Sequence, residues 1–101
     1  MKNNEMKLID FKTVSPLFEQ EASGEKPFTV RKIDKADPRF RALGQWKPSL
    51  NWGLRITDPA TGGNFVRRIM NVSYLITFNQ KTGVLEYDYG WRIISLGERV
   101  A

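Results

Sequence analysis

Trp52-Gly53-Leu54-Arg55-Ile56-Thr57, then Asp58-Pro59-Ala60-Thr61-Gly62-Gly63, then the long run 64–77 that begins Asn64-Phe65-Val66-Arg67-Arg68, is the stretch that decides the fold of this 101-residue chain. The two flanking runs are its clearest strand signals. The segment between them is built of turn formers: Asp58 bonds its own backbone, Pro59 presets φ, and the paired glycines accept left-handed φ. The stretch therefore predicts an antiparallel hairpin. On its second arm Val66, Met70, Val72, Tyr74 and Ile76 alternate to one face, and Arg68 interrupts them, which marks either a bulge or a functional residue.

Working outward, residues 80–83 read as a polar turn and 91–96 (Trp-Arg-Ile-Ile-Ser-Leu) as a final strand, apolar enough to be central or buried on both faces. Upstream, residues 34–52 lose periodicity. Pro38 and Pro48 argue against long regular structure there, and Phe40, Trp46 and Trp52 stand among basic residues, so a long functional or covering loop is expected. Residues 28–33 form a strand by composition, with Phe28 and Val30 on one face and Thr29 and Arg31 on the other. Before it, Ser15-Pro16 reads as an N-cap and first helical residue, and Gly24 as a left-handed stop. The short helix between them turns Phe18 and Ala22 inward and Glu19 and Glu21 towards solvent. Lys7–Lys12 reads as the first strand, with Ile9 and Phe11 on one side. About five strands and one early helix predict a small α+β protein whose sheet curls into a partly closed barrel.

Composition bounds what such a domain can do. The length fits one core, read as a single unit 1–101 with 1–6 as a flexible tail, and no repeat or linker divides it. Cysteine and histidine are both absent. That excludes disulfides, thiol nucleophiles, Ser-His and Cys-His pairs and the usual zinc sites, so no metal is expected; no motif calls for a cofactor. Neither a signal peptide nor an apolar run of membrane-spanning length is present, so the expected setting is cytoplasmic, with no membrane partner. The net charge of +5 is unevenly spread: residues 25–68 hold ten Lys or Arg against four acids, while the flanks hold six against seven. A basic middle of this kind suits either a polyanion site or a solvated face kept for solubility.

The helix followed by Gly24-Glu25-Lys26-Pro27-Phe28-Thr29-Val30-Arg31 resembles the Gly-x-Lys-x-x-Glu-x-Arg signature of ASCH-type domains in the PUA-like superfamily. The leading strand, the phrase Arg31-Lys32-Ile33-Asp34 followed by Arg39-Phe40, the Asp58 to Gly62 turn and the closing strand are similar to a small, phage-rich, uncharacterised ASCH-like family. The resemblance runs over most of the chain. It implies a PUA-like β-pseudobarrel with the helix beside its mouth, and a cleft near Lys26 and Arg31 suited to RNA or nucleotides. Thr29 stands where the signature has glutamate, which is similar to the Gly-x-Lys-x-x-Thr-x-Arg of small 4-acetylcytidine amidohydrolases.

Three classes of function follow. As a binding module, Lys26, Arg31, Lys32, Arg39, Arg41 and Arg68 meet the phosphates of RNA, other nucleic acid or a nucleotide, and Phe40, Trp46 or Trp52 offers a face to a base. Taken singly, each tryptophan reads first as a core anchor, and only the combination with the bases favours a site. As an amidohydrolase, Lys26 is the base, Thr29 the nucleophile, and Glu86 or Asp88 supplies a carboxylate; the plain alternative makes Lys26 a surface lysine and Thr29 a β-branched strand residue. As a phage-type inhibitor, the chain occupies a host nucleic-acid site or a host protein partner, a reading that rests on small size, basic surface and the resemblance.

Overall fold

The structure is a computed structural model and describes residues 6–101. Of the tail expected over 1–6, residues 1–5 lie outside the described residues; Met6 is half-buried, its Sδ so close over Gly53 that a Cβ there would lie 2.3 Å away. The chain runs β1 (Lys7–Lys12), α1 (Leu17–Ser23), β2 (Phe28–Lys32), α2 (Pro38–Gln45), β3 (Trp52–Thr57), β4 (Asn64–Asn79) and β5 (Val84–Arg99). The five strands form one sheet in the order β1-β3-β4-β5-β2, curled into a half-barrel, and the domain is α+β. β1 lies parallel to β3 and every other pairing is antiparallel.

The expected hairpin is β3–β4. Asp58 is buried in its turn: Oδ1 accepts from the Ala60 N–H at 2.9 Å and its carbonyl oxygen from the Gly62 N–H at 2.8 Å. Arg68 falls within the first of two register shifts on β4, between 67 and 69, and a second follows between 69 and 71, so the interrupted alternation is a bulge. Before the shifts Phe65 faces the core, as does Ile69 between them; Met70 turns out against Gly97, and beyond them Val72 takes the core side. The core gathers Ile9 and Phe11 of β1, Leu54 and Ile56 of β3, Phe65 and Ile69 of β4, Ile94 and Leu96 of β5, with Ile33 and Leu43 closing its ends. Alternate positions on each strand supply these residues, as the two-residue period requires.

Four expectations change. Residues 34–52 are no continuous loop, since α2 occupies Pro38–Gln45. Pro38 starts this helix rather than breaking it, because the first turn needs no N–H from it, and Asp37 caps it through the Arg39 N–H at 2.9 Å. At α1, Pro16 rather than Ser15 holds the cap position, and Ser15 Oγ instead donates to Glu19 Oε2 at 2.6 Å. Gly24 does end the helix at φ 88°. Glu21 is not solvent-facing: it lies three residues after Phe18 on the inner stripe and is 1% exposed. Finally, the last strand starts at Val84 rather than Trp91, which lengthens the β4–β5 ribbon well past its neighbours.

Arg67 ties α1 to the sheet. From β4 its Nε donates to Glu21 O and its Nη2 to Ala22 O, both at 2.9 Å, and its Nη1 donates to Gly97 O at 2.6 Å. α1 has no basic residue in its own last turn, so a cation from a distant strand satisfies its free carbonyls and its negative dipole end. Phe18 packs edge-on against Phe65 with ring centroids 5.3 Å apart. Arg92 is also buried, held between the rings of Phe40 at 4.2 Å and Tyr74 at 4.6 Å, with Nη1 donating to Tyr89 O. None of the helices is long and apolar enough to cross a membrane among the described residues.

Ile94 on β5, inside the sheet between β4 and β2, is fully buried and Val30 on the edge β2 is 42% exposed. Ile94→Ala is expected to lower unfolding free energy by about 2–5 kcal/mol, and Val30→Thr to stay within about 0.5 kcal/mol of the parent. Urea denaturation followed by circular dichroism checks both.

Candidate anion-binding groove

The edge strands β1 and β2 lie at opposite ends of the strand order, yet the curl brings them near each other. Arg31 of β2 reaches across the gap. Its Nη1 donates to Lys12 O at 2.8 Å, its Nη2 to Thr13 Oγ1, and its Nε to Thr29 Oγ1 at 3.0 Å. Because Thr29, Arg31 and Ile33 alternate on the inward face of this strand, the polar face of β2 looks into the barrel mouth, while Phe28 and Val30 look out.

Two hollows meet at Arg31. The larger, an open groove of about 630 Å³, is lined by Asp10, Phe11, Lys12, Arg31, Lys32, Arg39 and Thr57. The smaller, of about 240 Å³, lies under α1 and includes Lys12, Thr13, Glu21, Lys26, Thr29 and Arg31. In the larger groove four cations face one carboxylate, and that carboxylate is already engaged: Asp10 takes Arg55 Nε on Oδ1 at 2.5 Å and Nη2 on Oδ2 at 3.2 Å. Asp10 and Arg55 are direct register partners across β1 and β3. Phe11 forms the floor, with the Arg31 guanidinium 4.9 Å and the Arg39 guanidinium 4.4 Å from its ring centroid. Both guanidiniums lie within cation–π range of the same ring, which fixes two positive charges at the groove.

Arg39 is fixed from α2. It grips Asp37 through Nε and Nη2, and its Nη1 donates to Asp10 O at 2.7 Å. The Arg39 bonds hold the Asp37 carboxyl below the usual aspartate range, and Asp37 raises Arg39 in return. Burial lowers Arg31 from the ordinary arginine value; Glu21 opposes that shift and the neighbouring Arg39 charge adds to it. Arg31 nevertheless stays cationic, since an arginine loses its proton only far above neutral pH. Lys12 and Lys32 pair with no carboxylate among the described residues. Lys32 Nζ sits 5.8 Å from the ring centroid of Trp91, a partly exposed aromatic beside the groove.

In the smaller hollow Lys26 Nζ donates to Glu21 Oε2 at 2.8 Å, and Glu21 Oε1 lies 4.0 Å from Arg31 Nη2. Glu21 Oε1 makes no other bond within the described residues. Burying this carboxylate is tolerable because two cations face it.

Of the residues singled out in the sequence, Lys26, Thr29, Arg31, Lys32 and Arg39 line the two hollows. The others line neither. Phe40 stacks on Arg92 and packs against the core, as does Trp46. Arg41 is exposed on α2. Arg68 bonds Glu98 at 3.0 Å and Asn51. Glu86 stands on the β4–β5 ribbon, where it accepts from Asn79 Nδ2 at 3.1 Å, and Asp88 caps the Gly90 N–H. Sequence reasoning missed Phe11 as a floor, Lys12, Thr13 and Glu21. The last had a signal, its place on the inner stripe of α1; the others join the site only because the sheet curls. Among the described residues no cluster of acids is placed to hold a metal ion.

Comparison with protein-family models, with curated proteins and with solved structures finds no match for this chain.

Glu21 anchors both cations at the junction, so removing it strands Lys26 and Arg31. Glu21→Ala is expected to cost about 3 kcal/mol, at the low end for a broken buried pair because Lys26 keeps access to water. Glu21→Leu combined with Lys26→Met should recover only the share due to Lys26, because Arg31 is left without its counter-charge. Chemical denaturation of the two variants measures the difference.

Proposed function

We propose that the groove between β1 and β2 binds the phosphates of a nucleic acid, RNA in the first place, or of a nucleotide. The observation that carries this reading is the charge arrangement: Lys12, Arg31, Lys32 and Arg39 line the groove while its one acid, Asp10, is held by Arg55. The two guanidiniums held at the Phe11 ring supply fixed positive charge to phosphate oxygens, and Lys12 and Lys32, which pair with no carboxylate among the described residues, supply ammonium donors. Their positions are set by bonds to backbone and to Asp37, so little side-chain entropy remains to be lost on binding. Trp91 beside Lys32 offers the face for a base that Phe40 and Trp46, packed on the core, do not. The half-barrel with α1 beside its mouth supports the finer reading as an ASCH-type, PUA-like pseudobarrel.

A second reading is favoured by one observation. Lys26 and Thr29 share the smaller hollow with a buried carboxylate, Glu21. In an amidohydrolase acting on 4-acetylcytidine, Thr29 Oγ1 attacks the acetyl carbonyl carbon, Lys26 takes the hydroxyl proton and passes it to the departing amine, and water then releases acetate. Glu21 fills the carboxylate position that the sequence offered to Glu86. Against it, Lys26 Nζ is committed to Glu21, and Thr29 Oγ1 accepts from Arg31 Nε rather than facing a base.

Fluorescence anisotropy of a labelled single-stranded RNA, titrated at low and at near-physiological salt, tests the first reading. Binding is expected to weaken as salt rises. Lys12→Glu with Lys32→Glu should weaken it further and flatten the slope of log K against log salt by about 0.7 per lost phosphate contact. Binding that ignores both salt and these substitutions would refute it. For the second reading, purified protein should release acetate from 4-acetylcytidine, with Lys26→Ala and Thr29→Ala both inactive; no turnover by the parent removes it.

A further inference from the structure

β4 and β5 outrun the rest of the sheet. β3 pairs with β4 only over residues 64–68 and β2 with β5 only over 91–95, whereas β4 and β5 remain paired from Leu75↔Asp88 out to Asn79↔Val84. Among the described residues the outer part is thus a two-stranded ribbon with no third strand on either edge. Such a ribbon is at best marginally stable alone in water.

Its two faces differ sharply. Ile76 pairs with Tyr87 and Phe78 with Leu85, so these four side chains share one face, which Tyr74 and Tyr89 extend, their rings 5.1 Å apart. The tyrosines are packed together: Tyr87 and Tyr89 centroids are 5.8 Å apart. The opposite face carries Thr77, Asn79, Glu86 and Asp88, with Leu75 and Val84 at its two ends. Five residues of the apolar face are more than half exposed, Phe78 at 61% and Leu85 at 69% among them. At about 200 Å² for each large side chain this leaves roughly 600 Å² of contiguous apolar and aromatic surface in water, the upper limit for a soluble monomer.

We infer that this face is the contact between two copies of the chain, packed ribbon on ribbon about a two-fold axis. The area decides in favour of a second copy: two identical faces of roughly 600 Å², with their margins, approach the about 800 Å² per partner of a stable interface. The symmetry is self-matching, since each apolar row meets its own equivalent. Charge agrees, because Glu86 and Asp88 point away from the contact and Lys81 sits at the ribbon tip, so no like charges are pressed together. Face-to-face packing at about 10 Å turns two marginal ribbons into one four-stranded, two-layer unit. The groove at Arg31 plays no part in this contact.

Sedimentation equilibrium of the full chain over a concentration series tests the inference. The parent should reach the mass of a dimer and dissociate on dilution, and Phe78→Glu with Tyr87→Glu should remain a monomer with an unchanged strand signal in circular dichroism. The chain contains no native cysteine, which gives a second measurement that does not depend on the charged variant folding. Leu85→Cys should form a disulfide-linked dimer on mild oxidation, and Thr77→Cys, on the polar face, should not. A parent that stays monomeric at the highest concentrations overturns the inference and leaves the face to a different protein. A dimer that survives the double substitution, or that cross-links equally well from both faces, overturns it too.

Discussion

Arg31 joins the two edges of the curled sheet, and the placement of everything around the groove depends on that reach. A five-stranded sheet has two edges, each with backbone groups that seek partners. In this chain the guanidinium of β2 takes the Lys12 carbonyl and the Thr13 hydroxyl of the segment at the end of β1. One face of the same group lies on the Phe11 ring, and Glu21 stands behind it at 4.0 Å. The seam is therefore bridged by a charged side chain rather than by a strand ladder, and it remains open where a closed barrel would be sealed.

That choice explains the distribution of charge. A half-buried guanidinium requires a counter-charge, and Glu21, inward on α1, supplies it to Arg31 and to Lys26 alike. α1 must then be held in place, which Arg67 does from β4 by taking the last carbonyls of the helix. On the other side Arg39 enters from α2, locked by Asp37, and Asp10 is drawn off by Arg55. Acids are thus spent behind or beside the seam while Lys12 and Lys32 remain uncommitted at its mouth. The ribbon of β4 and β5 is chemically unlike this end: its one large exposed surface is apolar and aromatic, and its charges lie on the reverse face.

Much of this was legible in the sequence, and the gaps have physical causes. The turn formers between Thr57 and Asn64, the Gly24 stop and the alternation of Ile9 with Phe11 act through neighbours in the chain, so they could be read locally. α2 is hard to read locally because Pro38 breaks a helix as readily as it starts one, and only Asp37 before it, the matching cap, decides for a start. Glu21 escaped because a carboxylate on a short helix is ordinarily solvated; its inward place becomes sensible only with Lys26 and Arg31 opposite. Leu85, Tyr87 and Tyr89 alternate with Glu86 and Asp88, which is the two-residue period of a ribbon with one wet face. Arg31, Lys32 and Arg39 could be named as site residues from their types, whereas Lys12, Thr13 and Phe11 come to the groove only through the curl. Phe40 and Trp46 show the reverse: aromatics set among basic residues that pack inward, one of them on the buried Arg92.

The most direct measurement is backbone amide chemical-shift mapping while a short single-stranded RNA is added to the full chain. The account predicts that perturbations centre on residues 11–13, 29–32 and 39, at the seam that Arg31 spans. Shifts that leave these residues untouched and gather instead on residues 76–89, or no shifts at all at low ionic strength, would contradict it.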